Sequence, residues 1–117
     1  MKILVVRTNT NSMPIPLPIG AAMVAGHLYR NDHDVRFLDL MGERDPVRVS
    51  QQTVSEFKPD VICISIRNRD NQSMQDCVDP MPGIRSVVDA VRESVSVPII
   101  LGGRAFTTFP SQTHRLI

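Results

Sequence analysis

Four short apolar runs divide this chain at regular intervals. They are KILVV (2–6), VRFLDL (35–40), VICISI (61–66) and VPIILGG (97–103). Three of these runs are rich in Val and Ile and apolar throughout, which is typical of strands that are buried on both faces. VRFLDL instead alternates apolar and polar residues, as an edge strand does when one of its faces stays in water.

Helical patterns lie between the apolar runs. The three segments are IGAAMVAGHLYRN (19–31), DPVRVSQQTVSEFK (45–58) and PGIRSVVDAVRESV (82–95). Each places apolar residues at helical spacing, and a proline stands near the start of each. The predicted apolar side comprises Ala22, Val24, Ala25 and Leu28 in the first segment, and Ile84, Val87, Val88 and Val91 in the third.

Alternating strands and helices at this spacing predict βαβ units. The predicted fold class is α/β, a doubly wound, flavodoxin-like parallel sheet with helices on both faces. The sequence ends soon after the fourth predicted strand, where SQTHRLI (111–117) could begin another helix. We therefore expect residues 1–117 to form a single domain that is truncated before its fifth strand, as a fragment of a longer protein.

Composition argues against several classes of function. Thirteen Lys and Arg stand against 12 Asp and Glu, and aromatic residues make up only 4%. The chain therefore has no broad basic field and no stacking platform, so we expect neither nucleic acid nor a membrane as partner. No signal-peptide layout precedes KILVV, and we expect a cytoplasmic protein. Cys63 and Cys77 lack metal-ligand spacing, and Cys63 is interpreted as a small core residue.

Three loops would meet at the carboxyl ends of the predicted strands, where ligands bind in such sheets. They are residues 7–18, 67–82 and 102–110. The first two exceed the usual βα loop of 2–6 residues, which favours a functional role. The paired Gly102 and Gly103 would allow a bulky ligand to approach the backbone. A tight turn without a ligand, and a merely solvated polar loop, remain the alternatives.

Several familiar sites are absent from the sequence. There is no GxGxxG after the first strand, no GxxxxGK[ST], and no acidic cluster where Arg7-Thr8-Asn9 stands. His27 and His33 are interpreted as structural or solvated, and His114 has no assigned role. No catalytic residue and no protein ligand for a metal ion is predicted.

Three segments resemble the N-terminal cobalamin-binding domain of cobalamin-dependent radical S-adenosylmethionine (SAM) enzymes. They are RTNTNSMPIPLPIGAAMVAGHLYRNDHDVRFLDL, PDVICISIRNRDNQ and VPIILGGRAFTTFP. The most specific part is S-x-RN-x-DN directly after a buried strand. The resemblance covers nearly the whole chain.

The resemblance implies cobalamin as the cofactor. Thr8 and Asn9 would lie beside the corrin, Ser65 would meet the nucleotide tail, and the two glycines would let the tail pass the backbone. The implied cofactor-binding residues are Thr8, Asn9, Ser65, Arg67, Asn68, Asp70, Asn71, Gly102, Gly103, Arg104 and Phe106. The first loop lacks the DxHxxG of proteins that ligate cobalt through histidine, so no histidine from this loop would do so.

The resemblance implies a cobalamin-binding module for methyl transfer or related radical chemistry, carried out by a separate C-terminal radical SAM domain. The CxxxCxxC motif is absent here, so the iron–sulfur cluster and SAM would belong to the missing part. Two alternatives remain: a flavodoxin-like structural or interaction domain that no longer binds cobalamin, and a flavin mononucleotide or other small-molecule binder. A second copy could pair along an exposed sheet edge.

Overall fold

A computed structural model describes residues 1–10, 15–68 and 74–116. The strands are β1 (Lys2–Arg7), β2 (Asp34–Asp39), β3 (Val61–Ser65) and β4 (Ile99–Gly102). The helices are α1 (Ile19–Arg30), α2 (Pro46–Phe57), α3 (Met81–Ser94), α4 (Arg104–Thr108) and α5 (Pro110–Leu116).

The four strands form one parallel sheet in the order β2-β1-β3-β4. The predicted α/β fold with this doubly wound arrangement is therefore confirmed. The order reverses at β1, since β2 lies on one side of it and β3 on the other. In such sheets the crevice at the reversal, beyond the carboxyl ends of the strands, is the usual ligand position.

The main core lies between the sheet and helices α2 and α3. It contains Leu4, Ile62 and Ile64 from the strands, all less than 2% exposed, and the predicted α3 stripe. Val54 and Phe57 complete it from α2. Ile84, Val87, Val88 and Val91 are all buried, so the helical pattern of this segment is confirmed.

A smaller core lies on the opposite face, under α1. Ile3, Val5 and Ala21 are buried there. The half of this face formed by β3 and β4 is more open, because Ile100 is 56% exposed and Cys63 is only half-buried. Cys63, interpreted as a small core residue, packs against this smaller core but is only partly buried.

Helix α1 packs on the sheet with only part of the side that its sequence predicted. Ala21, Ala25 and Leu28 face the sheet, whereas Ala22 is exposed and Val24 is 49% exposed. The helix contains so many small apolar residues that its pattern fits more than one orientation.

Candidate cofactor site

The carboxyl ends of the four strands are aligned in one row. The register places Asp39 beside Arg7, Arg7 beside Ser65, and Ser65 beside Gly102. Since the strands are parallel, all the loops that follow these residues leave the sheet at the same edge. The segments expected to meet a cofactor therefore start from neighbouring positions.

Arg7 fixes the first of these loops to the sheet. Its guanidinium forms an ion pair with Asp39 at 2.9 Å and donates a hydrogen bond to the carbonyl oxygen of Pro16 at 2.7 Å. Only 5% of the Arg7 side chain is exposed. A buried guanidinium is stable only with such partners, so the ion pair determines where the loop turns.

Thr8 joins β1 to β3 at the same level. Its hydroxyl donates to the carbonyl oxygen of Ser65 at 3.0 Å, and Thr8 is only 2% exposed. Thr8 was predicted to lie beside the cofactor, but its hydroxyl already has a protein partner. Its observed contact holds the two strand ends together.

The backbone conformation at position 103 and the space around it require glycine. Its φ is +93°, and a Cβ atom there would collide with the backbone of Ile66. The turn it forms lets Ile66 donate to Gly102 at 2.9 Å and Ala105 donate to Ile66 at 3.1 Å. The glycine pair was predicted to make room for a ligand, but for Gly103 the close neighbour is the end of β3.

Two adjoining cavities open at this edge. The first, called here the rim pocket, has a volume of about 310 Å³. Its polar lining residues are Arg7, Asn9, Ser65, Arg67 and Arg104, and its apolar ones include Leu17, Pro18 and Ile19. The rim pocket therefore joins cationic and amide groups to an apolar side.

The second cavity, called here the groove, has a volume of about 300 Å³. It runs over the open half of the sheet, between α1 and β4, and its lining is mostly apolar. The lining residues are Val5, Gly20, Ala21, Val24, Cys63, Ile64, Ser65, Ile100, Gly102 and Gly103. Four residues, Gly20, Ala21, Ser65 and Gly103, line both cavities, so the two lie side by side.

Two features give the rim pocket unused hydrogen-bonding capacity. The side-chain oxygen Oδ1 of Asn9 is buried and accepts no hydrogen bond in the described structure. Arg67 and Arg104 are exposed, and no described carboxylate lies within ion-pair distance of either. An unsatisfied acceptor costs about 1–3 kcal/mol, which a ligand donor would recover.

The predicted site residues fall into three groups. Asn9, Ser65, Arg67, Gly102, Gly103 and Arg104 line one or both cavities. Thr8 and Asn68 lie in the same loops and Phe106 lies in α4, and none of the three lines either cavity; Asn68 and Phe106 are partly exposed. Asp70 and Asn71 lie outside the described residues. Sequence reasoning missed Gly20, Val24 and Ile100, which come from a helix and from mid-strand, where no loop signal marks them.

The groove contains a thiol, that of Cys63. Partial burial raises the pKa of this thiol, because desolvation disfavours the thiolate. At neutral pH the side chain is therefore a neutral, weakly polar lining group. Cys77 is exposed and lines neither cavity.

No metal-binding cluster is formed within the described ranges. No group of three or more His, Cys, Asp or Glu side chains lies together there. His27, His33 and His114 line neither cavity. Nor is any described helix long and apolar enough to cross a membrane.

The fold and the site together define a doubly wound α/β domain whose ligand position is at the carboxyl edge of the sheet. Residues 8–117 match the family described as the B12 binding domain, and this chain belongs to that family. The predicted resemblance to a cobalamin-binding domain, and cobalamin as the cofactor, are thereby confirmed. A search of curated proteins found no match.

Two solved structures share the fold. Both are of TsrM, a radical S-adenosylmethionine methyltransferase from Kitasatospora setae, and both match with a TM-score of 0.86 and 22% identity. One has tryptophan substrate and a SAM analog bound, and the other has cobalamin and a [4Fe-4S] cluster bound. The match covers 97% of this chain but only 21% and 20% of the TsrM chains, so this chain spans about a fifth of their length.

The residues present fit a corrinoid. Cobalamin has a corrin ring bearing many primary amides, and a tail with a phosphodiester and an apolar aromatic base. The unsatisfied oxygen of Asn9 suits an amide donor, and the two exposed arginines suit amide oxygens and the phosphodiester. The apolar groove beside them suits the base.

Proposed function

We propose that this chain is the cobalamin-binding module of a longer radical SAM enzyme, in which a separate domain carries out methyl transfer or related radical chemistry. Bound cobalamin supplies a cobalt centre that can accept a methyl group and hand it on. The iron–sulfur cluster and SAM would belong to the other domain. Support comes from family membership and from the shared fold with TsrM, itself a radical SAM methyltransferase.

In this proposal the rim pocket holds the corrin. Asn9 would accept a hydrogen bond from a corrin amide, because its Oδ1 is buried and unsatisfied among the described residues. Arg67 donates to amide oxygens from the end of β3, and Asn68 meets the ring edge. Leu17 and Ile19, which are 77% and 62% exposed, offer apolar contact to the ring.

The groove holds the nucleotide tail. Ser65 meets the tail at the junction of the two cavities, and Arg104 meets its phosphodiester. Val24 and Ile100 are about half exposed, so a base lying between them would remove apolar surface from water. No histidine lines either cavity in the described structure, so we expect no histidine of these residues beneath the cobalt.

The observation that carries the proposal is that the two cavities adjoin at the carboxyl edge of the sheet. A ligand that is amide-rich at one end and apolar at the other could occupy both, since the two cavities adjoin at Gly20, Ser65 and Gly103. Few cofactors combine these properties. A flavin mononucleotide would need a phosphate cradle in the first loop, which reads RTNTNS.

Binding of hydroxocobalamin tests the proposal. The purified chain is mixed with the corrinoid, desalted and examined by visible spectroscopy, and we expect a retained and shifted corrin band. A chain that serves only as a structural or interaction domain would pass through desalting without corrinoid. That result would contradict the proposal.

A matched pair of α1 variants locates the binding. Val24 lines the groove and Met23, its neighbour in the helix, lines neither cavity, yet both are largely exposed. We expect Val24→Asp to weaken binding by at least about tenfold, because the ligand would have to desolvate a carboxylate. Met23→Asp should bind as the unmodified chain does, and equal losses in the two variants would place the tail elsewhere.

Two further parts of the proposal concern the whole protein. We place the enzyme in the cytoplasm, and we expect a second copy to pair along an exposed edge of the sheet, where β2 or β4 has unpaired backbone groups. Sedimentation that detects only monomer at high concentration would remove the pairing.

A further inference from the structure

The side of α1 that points away from the sheet is apolar. It carries Ile19, Ala22, Met23 and Tyr29, which are called here the outer face. Ile19, Met23 and Tyr29 are 62%, 70% and 71% exposed, and Ala22 is exposed as well. The spacing of these residues places them on one side of the helix, so they form a continuous apolar strip.

The other two long helices do not share this feature. Helix α2 exposes Arg48 and Glu56, and α3 exposes Arg85. Helix α1 contains no Asp, Glu, Lys or Arg before Arg30, which is its last residue. A surface helix usually directs charged and polar residues to the solvent, whereas a helix that is apolar on all sides is covered on all sides. The sequence of α1 is therefore that of a covered helix, although Ala21 is its only buried residue.

The proposed cofactor does not account for the outer face. Ala22, Met23 and Tyr29 line neither cavity, and only Ile19, at the start of the helix, borders the rim pocket. A ligand that occupied both cavities would leave Met23 and Tyr29 in water. A protein surface is needed to cover them.

We propose that the outer face of α1 is a docking surface for the catalytic domain of the longer enzyme. The inference rests on the proposed function and adds a contact surface to it. Two observations favour this occupant over a second copy of the chain. First, this chain spans only about a fifth of the TsrM chains, so a module of this kind is joined to a much larger protein. Second, Ile19 belongs both to the outer face and to the rim pocket, so a domain that covers the cofactor at this edge meets α1 next.

Cysteine labelling tests the docking. Ala22→Cys and Met23→Cys each place a thiol on the outer face, and Ser55→Cys places one at an exposed position of α2 as a control. Each variant is prepared as residues 1–117 and as the full-length polypeptide. Its reaction with N-ethylmaleimide is followed by mass spectrometry of the peptides, which distinguishes the new thiol from Cys63 and Cys77.

Labelling of the outer face should depend on the rest of the polypeptide. We expect the reaction at positions 22 and 23 to be at least about tenfold slower in the full-length protein than in residues 1–117, because a docked surface reacts only when it opens. The reaction of the Ser55→Cys variant should change by less than about twofold, since that part of α2 stays exposed.

A separate control distinguishes the catalytic domain from the cofactor. Methylcobalamin is added in the dark to the Met23→Cys variant of residues 1–117. The labelling rate should not change, because position 23 lines neither cavity. Protection by the corrinoid alone would place the cofactor on the outer face and would overturn the inference.

The outcomes also separate this inference from the proposed function. If the full-length polypeptide binds no cobalamin, the proposed function is wrong and the inference falls with it. If it binds cobalamin and positions 22 and 23 react as fast as in residues 1–117, only the inference is overturned. Labelling of residues 1–117 that slows as their concentration rises would show that a second copy covers this face, and would overturn the assignment to the catalytic domain.

Discussion

Arg7 places a buried positive charge at the carboxyl end of β1, and its hydrogen-bond partners determine the structural role of that charge. The ion pair with Asp39 and the hydrogen bond to Pro16 tie the first loop to β2, beside the row of strand ends. Neither contact could be read from the sequence, since the three residues are separated by up to 32 positions. Asn9 was identified through the family resemblance, whereas Gly20 was missed because it begins a helix.

Removing the partner of this buried charge should destabilise the domain. We expect Asp39→Ala to lower the free energy of unfolding by about 2–4 kcal/mol, because Arg7 would remain buried with one fewer acceptor. Urea denaturation measures the change. The control is Glu56→Ala, which removes the exposed pair with Arg36 at 3.9 Å and should cost less than about 1 kcal/mol. Equal costs would show that Arg7 does not depend on Asp39.

Cys63 provides a probe of the groove. Its thiol should react with iodoacetamide more slowly than that of the exposed Cys77, because Cys63 is half-buried and burial raises its pKa. Methylcobalamin, kept in the dark, should slow the reaction of Cys63 further and leave that of Cys77 unchanged. Mass spectrometry of the peptides distinguishes the two. Protection of Cys77 alone would place the ligand outside the groove.

The same thiol predicts a dependence of stability on pH. The unfolded thiol ionises near its ordinary pKa of 9.0 and the folded one at higher pH. The unfolded chain therefore loses this proton first, and stability falls as the pH rises through 9 and beyond. Urea denaturation gives the free energy of unfolding at each pH for the unmodified chain and for Cys63→Ala. The dependence of this free energy on pH should differ between the two above pH 9 and agree below pH 8. If the two chains show the same dependence on pH above pH 9, the raised pKa of Cys63 in the folded chain is contradicted.

At the scale of elements, the sequence predicted the strands and the three long helices within one or two residues. The periodicity of α3 predicted this helix and its buried side correctly, because its large β-branched residues form one stripe. Helix α4 was not predicted, because RAFTT (104–108) is too short to show a period and follows two glycines. The side on which α1 packs was predicted only in part, since small residues on several sides of the helix make the pattern ambiguous.

The start of α2 illustrates how a single side chain fixes an element. Asp45 caps this helix, because its carboxylate accepts a hydrogen bond from the backbone N–H of Arg48 at 3.0 Å. We expect Asp45→Ala to cost about 1 kcal/mol and Asp45→Ser, which also caps, to cost less. Thermal melting of the two variants gives the comparison. If Asp45→Ser lowers the melting temperature as much as Asp45→Ala does, Asp45 does not stabilise the domain by capping α2.

For the whole molecule, the sheet order is what creates the site. The reversal at β1 and the alignment of Asp39, Arg7, Ser65 and Gly102 bring the three loops to one edge. The sequence indicated these loops correctly as neighbours, because parallel strands end on the same side. It could not indicate the groove, which exists because α1 covers only part of one face and leaves Cys63 and Ile100 partly open.

An NMR titration tests the central claim, that one corrinoid site lies at the carboxyl edge of the sheet. Methylcobalamin is added to the ¹⁵N-labelled chain and the backbone amide shifts are followed. We predict that the largest changes fall on Asn9, Gly20, Ser65 and Gly102, while Asp34 and Asp60, at the other end of the strands, stay unchanged. Shifts that concentrate at Asp34 and Asp60, or a spectrum unchanged by excess cobalamin, would contradict the claim.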